Sequence, residues 1–439
     1  MSAAFVLILV VAGAYLAAYL AFEWLARHFQ IISGAEYLLL GILLGPQVSG
    51  LISASVVGDF APFMTLALGW IGVMVGTQFY LPGLFRISGT SYRIAFIEAI
   101  FGLVVVSVVM AGILSLAFGL DLESVVTPAI ALGAIATASM PSGIALVSRT
   151  LGRSAPVLRQ LELTTAVDAL VSITAFGLLL SIVHVAPAVT PRAPTATEWA
   201  VISIGIGLVS GALFHLFLGS EKNIDRLFIG LGGAVILASG AAAYLRLSPL
   251  LPSMLIGMIL VNTSSNREEI KTVLTRVERP LYFVLLIFAG AAWDPGSWAW
   301  VVPTIAFLIV RHAAKRGGSW LAAWSTDSLP VLGPGWGKAL LGHGGLAIAI
   351  ALNYQIHEGA PLANVVFTAT LASVILTSLS SAKAVEAAVK PFWRVRIRRV
   401  TTAPAPPPRV VKDQGSGESS PTKDTERTEL PDLIEGVEG

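Results

Sequence analysis

Few residues in this chain have the chemistry to do work, and most of them lie inside apolar sequence. Asp168 sits in Thr164-Thr165-Ala166-Val167-Asp168-Ala169-Leu170, and apolar sequence continues from it to Val183. An ionisable group at such depth is costly and is a functional candidate by default. Thr164, four residues earlier, shares a helix face with it. Burial favours the neutral carboxyl and a nearby cation favours the carboxylate, so a proton and a monovalent cation would compete for Asp168. Ser139, in Ser139-Met140-Pro141-Ser142-Gly143, adds a hydroxyl from a segment that interrupts an apolar run.

Arg311 follows Ala306-Phe307-Leu308-Ile309-Val310. An arginine at a helix centre costs at least ~2.5 kcal/mol by insertion scales, so a charge partner is expected for it. Glu162 either pairs with Arg311 or faces the cytoplasmic rim. Lys315 and Arg316 are expected to snorkel, and Glu98 to cap or pair within its own span. His343 lies in Gly342-His343-Gly344-Gly345 and reads as structural. The six histidines form no ligand-spaced cluster and there are no cysteines. No catalytic residue, resident metal or cofactor is expected, and an enzyme is the least favoured class.

The elements that position these groups follow from composition. Apolar residues make up 55% of the 439 residues and charged residues only 12%. A soluble protein carries about 25% charged residues, so the chain reads as an all-α, multi-spanning membrane protein. A net charge of +2 gives no support to a nucleic-acid partner. Runs long enough for a span of roughly 20 residues number about thirteen. They lie near 4–26, 31–53, 60–81, 94–119, 125–148, 160–186, 199–218, 227–245, 247–262, 280–293, 298–318, 335–355 and 361–382. The two short runs, 247–262 and 280–293, leave open one merged or re-entrant segment.

If the spans alternate, one set of loops holds Arg27, Arg86, Arg93, Arg149, Arg153, Arg159, Lys222, Arg226, Arg267, Lys271, Arg276, Arg279 and Lys338. The other set holds only Arg192 and Arg246. That bias places the N-terminus outside and the C-terminus in the cytoplasm. A transmembrane domain over 1–390 is followed by a basic juxtamembrane segment and disordered tail, 391–439. The cluster Arg394 to Arg399 reads as an anchor, with anionic lipid as a partner.

An internal repeat is expected. Leu38-Leu39-Leu40-Gly41-Ile42-Leu43-Leu44 resembles Met254-Leu255-Ile256-Gly257-Met258-Ile259-Leu260, and the interrupted fifth span is matched by an interrupted twelfth. Both pairs are seven spans apart. An odd offset inverts the second half, giving inverted repeats over 4–186 and 227–382 with 199–218 as linker. Paired broken helices in such repeats point to a transporter with its site where they cross.

These residues resemble the monovalent cation/proton antiporter superfamily, which includes sodium/proton exchangers and potassium-efflux antiporters. Glu36 to Pro46 is close to that family's second-span signature. Leu247-Ser248-Pro249, Gly257 and Asn262 look like its ninth-span pattern, and Gly342 to Ala347 its late glycine-rich break. The resemblance implies crossed broken helices at Met140, Pro141, Gly342, His343, Gly344 and Gly345. It further implies a cation/proton site at Asp168, Thr164 and Ser139 and a basic partner at Arg311. Three positions depart from the family pattern: Met140, Val167 and Gln78. A homodimer in the plasma (inner) membrane is implied by resemblance alone.

The reading is exchange of Na⁺ or K⁺ for H⁺ by alternating access. With Val167 unable to titrate and Asp168 acting alone, the exchange would be one for one. The competing readings are a sodium-coupled organic-anion transporter of the same fold, and a membrane sensor or scaffold that no longer transports.

Overall fold

The computed structural model describes residues 34–140, 144, 156–184, 194–296, 298–333, 335–358, 361–378 and 384–388. Every regular element among them is helical. Those of ten or more residues are α1 (Ala35–Leu44), α2 (Ala61–Gly76), α3 (Gly89–Phe118), α4 (Leu122–Thr137), α5 (Pro156–Ile182) and α6 (Ala196–Leu218), then α7 (Ile224–Tyr244), α8 (Leu250–Thr263), α9 (Arg267–Ala291), α10 (Val301–Ser325), α11 (Gly345–Glu358) and α12 (Pro361–Ser378). Each falls on one of the expected apolar runs after the first. That first run, 4–26, lies outside the described residues, as do Pro141 and the Arg394–Arg399 cluster.

Local chemistry sets many of the ends. The Ser88 hydroxyl accepts from Ser91 N–H and opens α3, and Gly119, at φ 63°, closes it. Thr195 and Glu198 form a reciprocal capping box on α6. Asn223 accepts from the N–H groups of Asp225 and Arg226 at the start of α7. α3, α5, α6 and α7 are each long and apolar enough to cross a membrane by length and composition. Their outward faces carry large apolar side chains in the open, among them Val108, Leu116, Phe217 and Ile229. An aqueous surface rarely shows such a continuous face, but a lipid-facing one does.

α9 departs from expectation. The run near 280–293 is the second half of a 25-residue helix that begins at Arg267 and carries Pro280 inside it. Its first half is rich in Glu, Lys and Arg, so its hydropathy is low. Ile270, Val273 and Leu274 nonetheless bury one stripe at helical spacing. α8 and α9 are separate helices divided by Ser264–Asn266, so the merged segment is not formed.

The helices pack as two groups. α3, α4 and α5 pack on one another and on α10, α11 and α12, while α1, α2, α6, α7, α8 and α9 form the second group. Within the second, α1 lies on α9 and α8 lies on α2. The repeated glycine occupies both contacts. A Cβ on Gly41 would strike the Ile287 backbone, and one on Gly290 would come 2.9 Å from Gly41 Cα. At the other crossing, a Cβ on Gly76 would come 2.9 Å from Gly257 Cα. Absent side chains let the backbones touch, the close packing that small residues provide between membrane helices.

Candidate functional site

The first group is built around two helix breaks. α4 ends at Thr137, and Ala138 turns extended (φ −59°, ψ 120°). On the other side a 3₁₀ turn, Trp336–Leu341, gives way to extended Gly342 (φ −61°, ψ 130°), and α11 starts at Gly345. The two breaks meet: Met140 N–H donates to the Gly342 carbonyl at 3.0 Å. A Cβ on Gly344 would lie 3.3 Å from Met140 Cγ, so the two extended segments pass in close contact here.

Broken ends leave carbonyl oxygens without intrahelical donors, inside a bundle where water is scarce. Arg311 of α10 serves them. Its Nε donates to Ala136 O at 3.2 Å, its Nη1 to Leu341 O at 2.6 Å and its Nη2 to Ala138 O at 3.5 Å. One planar guanidinium thus binds both breaks. His343 lies 2.9 Å (Nε2) from Ile135 O and 2.8 Å (Nδ1) from Ser373 Oγ, while its N–H donates to Thr377 Oγ1. An Nε2–H tautomer donates to the carbonyl and accepts from the serine, which is a structural role.

Asp168, on α5, points at the crossing. Ser139 Oγ lies 2.6 Å from Asp168 Oδ2 and 3.2 Å from Leu340 O, with one hydrogen to give. Lys315 Nζ donates to the same Oδ2 at 2.8 Å, and it stands 3.1 Å and 3.3 Å from the two oxygens of Glu98 on α3. Asp168 and Glu98 are 0% exposed and Lys315 1%. Asp168 Oδ1 has no hydrogen-bond partner among the described residues. Two carboxylates and one ammonium therefore share a fully buried site beside two unwound segments.

No protein-family model and no curated protein matches this sequence. Among solved structures the chain is similar to the sodium proton antiporter MjNhaP1 from Methanocaldococcus jannaschii. The match has a TM-score of 0.66 and 15% sequence identity, and it covers 86% of this chain and 99% of that one. The chain has the sodium/proton antiporter fold. An antiporter fold with apolar helices of this kind makes it an integral, multi-pass membrane protein.

Within this antiporter fold several expected roles change hands. Arg311 forms no ion pair with Glu162, which is exposed. The reason is helical phase: at 100° per residue Glu162 lies about 120° around the helix from Asp168, whereas Thr164 is only about 40° away. Thr164 is buried on that face, but its Oγ1 accepts from Gln160 Nε2 at 3.3 Å. The cation on the carboxylates is Lys315, which does not snorkel because its amine is enclosed by α3 and α5. Glu98 pairs across to α10 instead of within its own helix. Asp168 therefore does not stand alone at the crossing: Glu98 and Lys315 share the site with it.

Lys315 is the site residue that sequence reasoning missed, and Glu98, read as capping or pairing within its own span, is the one it placed differently. A signal existed: Arg311 and Lys315 are one turn apart, on the stripe with Phe307 and Ser319, while His312 and Arg316 are exposed. Of the three departures from the family pattern, Gln78 is exposed. Val167 packs with Ala95, Ala99 and Leu163, and Met140 fills space against Gly344.

The Arg311 arrangement can be tested. Arg311→Lys keeps the charge but cannot reach three carbonyls in one plane. With a charged hydrogen bond contributing about 1.5–3 kcal/mol, the variant is expected to unfold earlier on heating in detergent, by the equivalent of about 2 kcal/mol or more. Unchanged unfolding would mean that the carbonyls do not depend on the guanidinium.

Proposed function

We propose that the protein exchanges a monovalent cation, Na⁺ or K⁺, for protons by alternating access, with Asp168 as the group shared by cation and proton. The observation that carries this reading is the buried Asp168–Lys315–Glu98 cluster at the crossing of two broken helices. The unpartnered Asp168 Oδ1, the Glu98 carboxylate, Ser139 and the crossing carbonyls supply the hard oxygen atoms that an alkali cation binds. Two carboxylates disfavour an organic anion at this point. Glu98 brings from α3 a second acid that valine at 167 does not offer, which favours a working site over a sensor that no longer transports.

Coupling follows from charge. With both carboxylates ionised and Lys315 protonated, the cluster carries one negative charge, and Arg311 is engaged on carbonyls. Placing a cation about 4 Å from the ammonium costs about 4 kcal/mol at an effective dielectric of 20. Release of the Lys315 proton removes that repulsion, and when Asp168 is protonated the loss of its proton frees the carboxylate for the cation, so cation entry and proton exit go together. The number of protons depends on whether Lys315 alone or a carboxyl as well takes part.

The paired glycine contacts, α1 on α9 and α8 on α2, support reading the two halves as inverted repeats. We read the lysine- and arginine-rich loops as cytoplasmic and the turn after α7 as external. The protein is on this view a transporter and not an enzyme, working as a homodimer in the plasma membrane. The deciding experiment is proton flux in proteoliposomes with Na⁺, K⁺ and Li⁺ gradients imposed in turn. Flux coupled to at least one cation is expected; no coupling to any of them would overturn the reading.

A further inference from the structure

The outer face of α10 carries charge where the fold offers it no partner. Ile305, Ile309, His312, Arg316, Trp320 and Trp324 form one stripe at helical spacing, and all six are exposed. A tryptophan pair stands at each end of the helix. Trp298 and Trp300 stack at 6.2 Å between ring centres, and Trp320 and Trp324 at 6.0 Å. From Trp300 to Trp320 the chain rises about 30 Å, the thickness of the hydrocarbon core, and tryptophan gathers at the two boundaries of that core. Arg316 therefore leaves the helix about 6 Å inside the boundary that Trp320 marks, and His312 about 12 Å inside it.

A cation among lipid chains is costly without an anion. Arg316 Nη1 lies 3.5 Å from His312 Nε2, a long contact that cancels no charge. Among the described residues no carboxylate pairs with it. The neighbouring helix adds a second cation. α3 packs on α10, with the Phe101 ring 3.6 Å from where a Cβ on Gly317 would lie, and Ile94 joins the apolar cluster of Ala322 and Ala323. These contacts make the two helices antiparallel. Arg93, exposed one residue before Ile94, thus stands near the level of Trp324, and among the described residues it too has no acidic partner.

We propose that this face binds an anionic phospholipid of the leaflet at the Trp320 end, with its phosphate on Arg316 and an acyl chain along Ile309 and Ile305. The long Arg316 side chain keeps its stem among the lipid tails and carries its charge to the headgroup level. There a guanidinium takes a phosphate through two parallel hydrogen bonds. With Nε2 turned to the guanidinium, His312 keeps its Nδ1–H for a glycerol ester carbonyl, which lies deeper than the phosphate. A zwitterionic lipid offers the same phosphate but brings an ammonium toward Arg93, so net negative charge is what this face selects. The loops at this end of α10 are those read above as cytoplasmic, and anionic lipid is concentrated in that leaflet. Arg311 and Lys315, each one residue earlier, face inward from the same turns, so the lipid grips from outside the helix that carries both inner cations. The site stands apart from cation exchange and from the Arg394–Arg399 cluster.

The chain has no cysteine, so one fluorescent label can be placed cleanly. Ile309→Cys would carry it beside the expected acyl chain, and Ile236→Cys on α7 gives a second exposed position. Each labelled protein is reconstituted in phosphatidylcholine vesicles holding the same small share of a chain-brominated lipid, either phosphatidylglycerol or phosphatidylcholine. Bromine quenches the label on contact. At Ile309→Cys the brominated phosphatidylglycerol should quench about fivefold more effectively, the preference that one cation at the membrane surface gives. At Ile236→Cys the two lipids should quench alike. Arg316→Gln should abolish the preference at Ile309→Cys, and Arg316→Lys, which keeps the charge, should retain most of it. Equal quenching by the two lipids at Ile309→Cys, or a preference that Arg316→Gln leaves intact, overturns the proposal. Weak quenching there by both lipids, beside strong quenching at Ile236→Cys, would mean that a protein surface such as a second copy covers this face, and overturns it as well.

Discussion

Asp168→Asn is expected to abolish cation-coupled proton flux, by about a hundredfold or more, which corresponds to ~2.7 kcal/mol or more. Asparagine has the size of aspartate and can still accept from Ser139 Oγ and Lys315 Nζ, so the crossing should keep its shape. What is lost is the charge that draws in a cation and the proton that leaves as it arrives. Glu98 is left as the sole counter-charge to Lys315, and the cluster becomes neutral without any cation bound. The check is Na⁺- and K⁺-driven flux in proteoliposomes, beside an unfolding curve showing that the variant is folded. Wild-type flux from the folded variant would remove the carboxylate from the mechanism.

Lys315→Gln is expected to be the most destabilising single change at the site. Its ammonium touches both buried carboxylates, and removing one partner of a buried ion pair costs about 3–5 kcal/mol because the remaining charge has no compensation. Adding Glu98→Gln removes one of the two stranded charges and should recover part of that loss. The double variant would then be more stable than the sum of the two single changes predicts. Thermal unfolding of the four proteins in detergent measures the coupling. Additive effects would mean that Glu98 and Lys315 do not share a charge balance, and the site would reduce to Asp168 with its lysine.

Much of this was legible in the chain before its fold. Apolar runs mark the helices because the hydrocarbon core demands both length and apolar surface from each one. Glycine in two matching heptamers marks where backbones touch, since any larger residue would hold those helices apart. The paired interruptions mark the crossing, and a carboxylate deep in an apolar run marks the candidate site. The first half of α9 escaped this reading because a hydropathy window sums over all faces. It cannot see one apolar stripe beneath charged ones.

The partners of the charges were decided only by the tertiary structure. Sequence spacing puts Arg311 and Lys315 on one face of α10, a turn apart. It does not say how far α10 is displaced along its axis relative to α3, α4 and α5. One turn is about 5.4 Å, enough to exchange the roles of the two cations. At the depth the packing sets, the guanidinium reaches the carbonyls of both breaks, and the ammonium reaches Asp168 and Glu98. Glu98 is 70 residues from Asp168 in the chain and comes to it only through the packing of α3 on α5 and α10. Single helices fix which residues share a face; the axial register between helices fixes which charges meet.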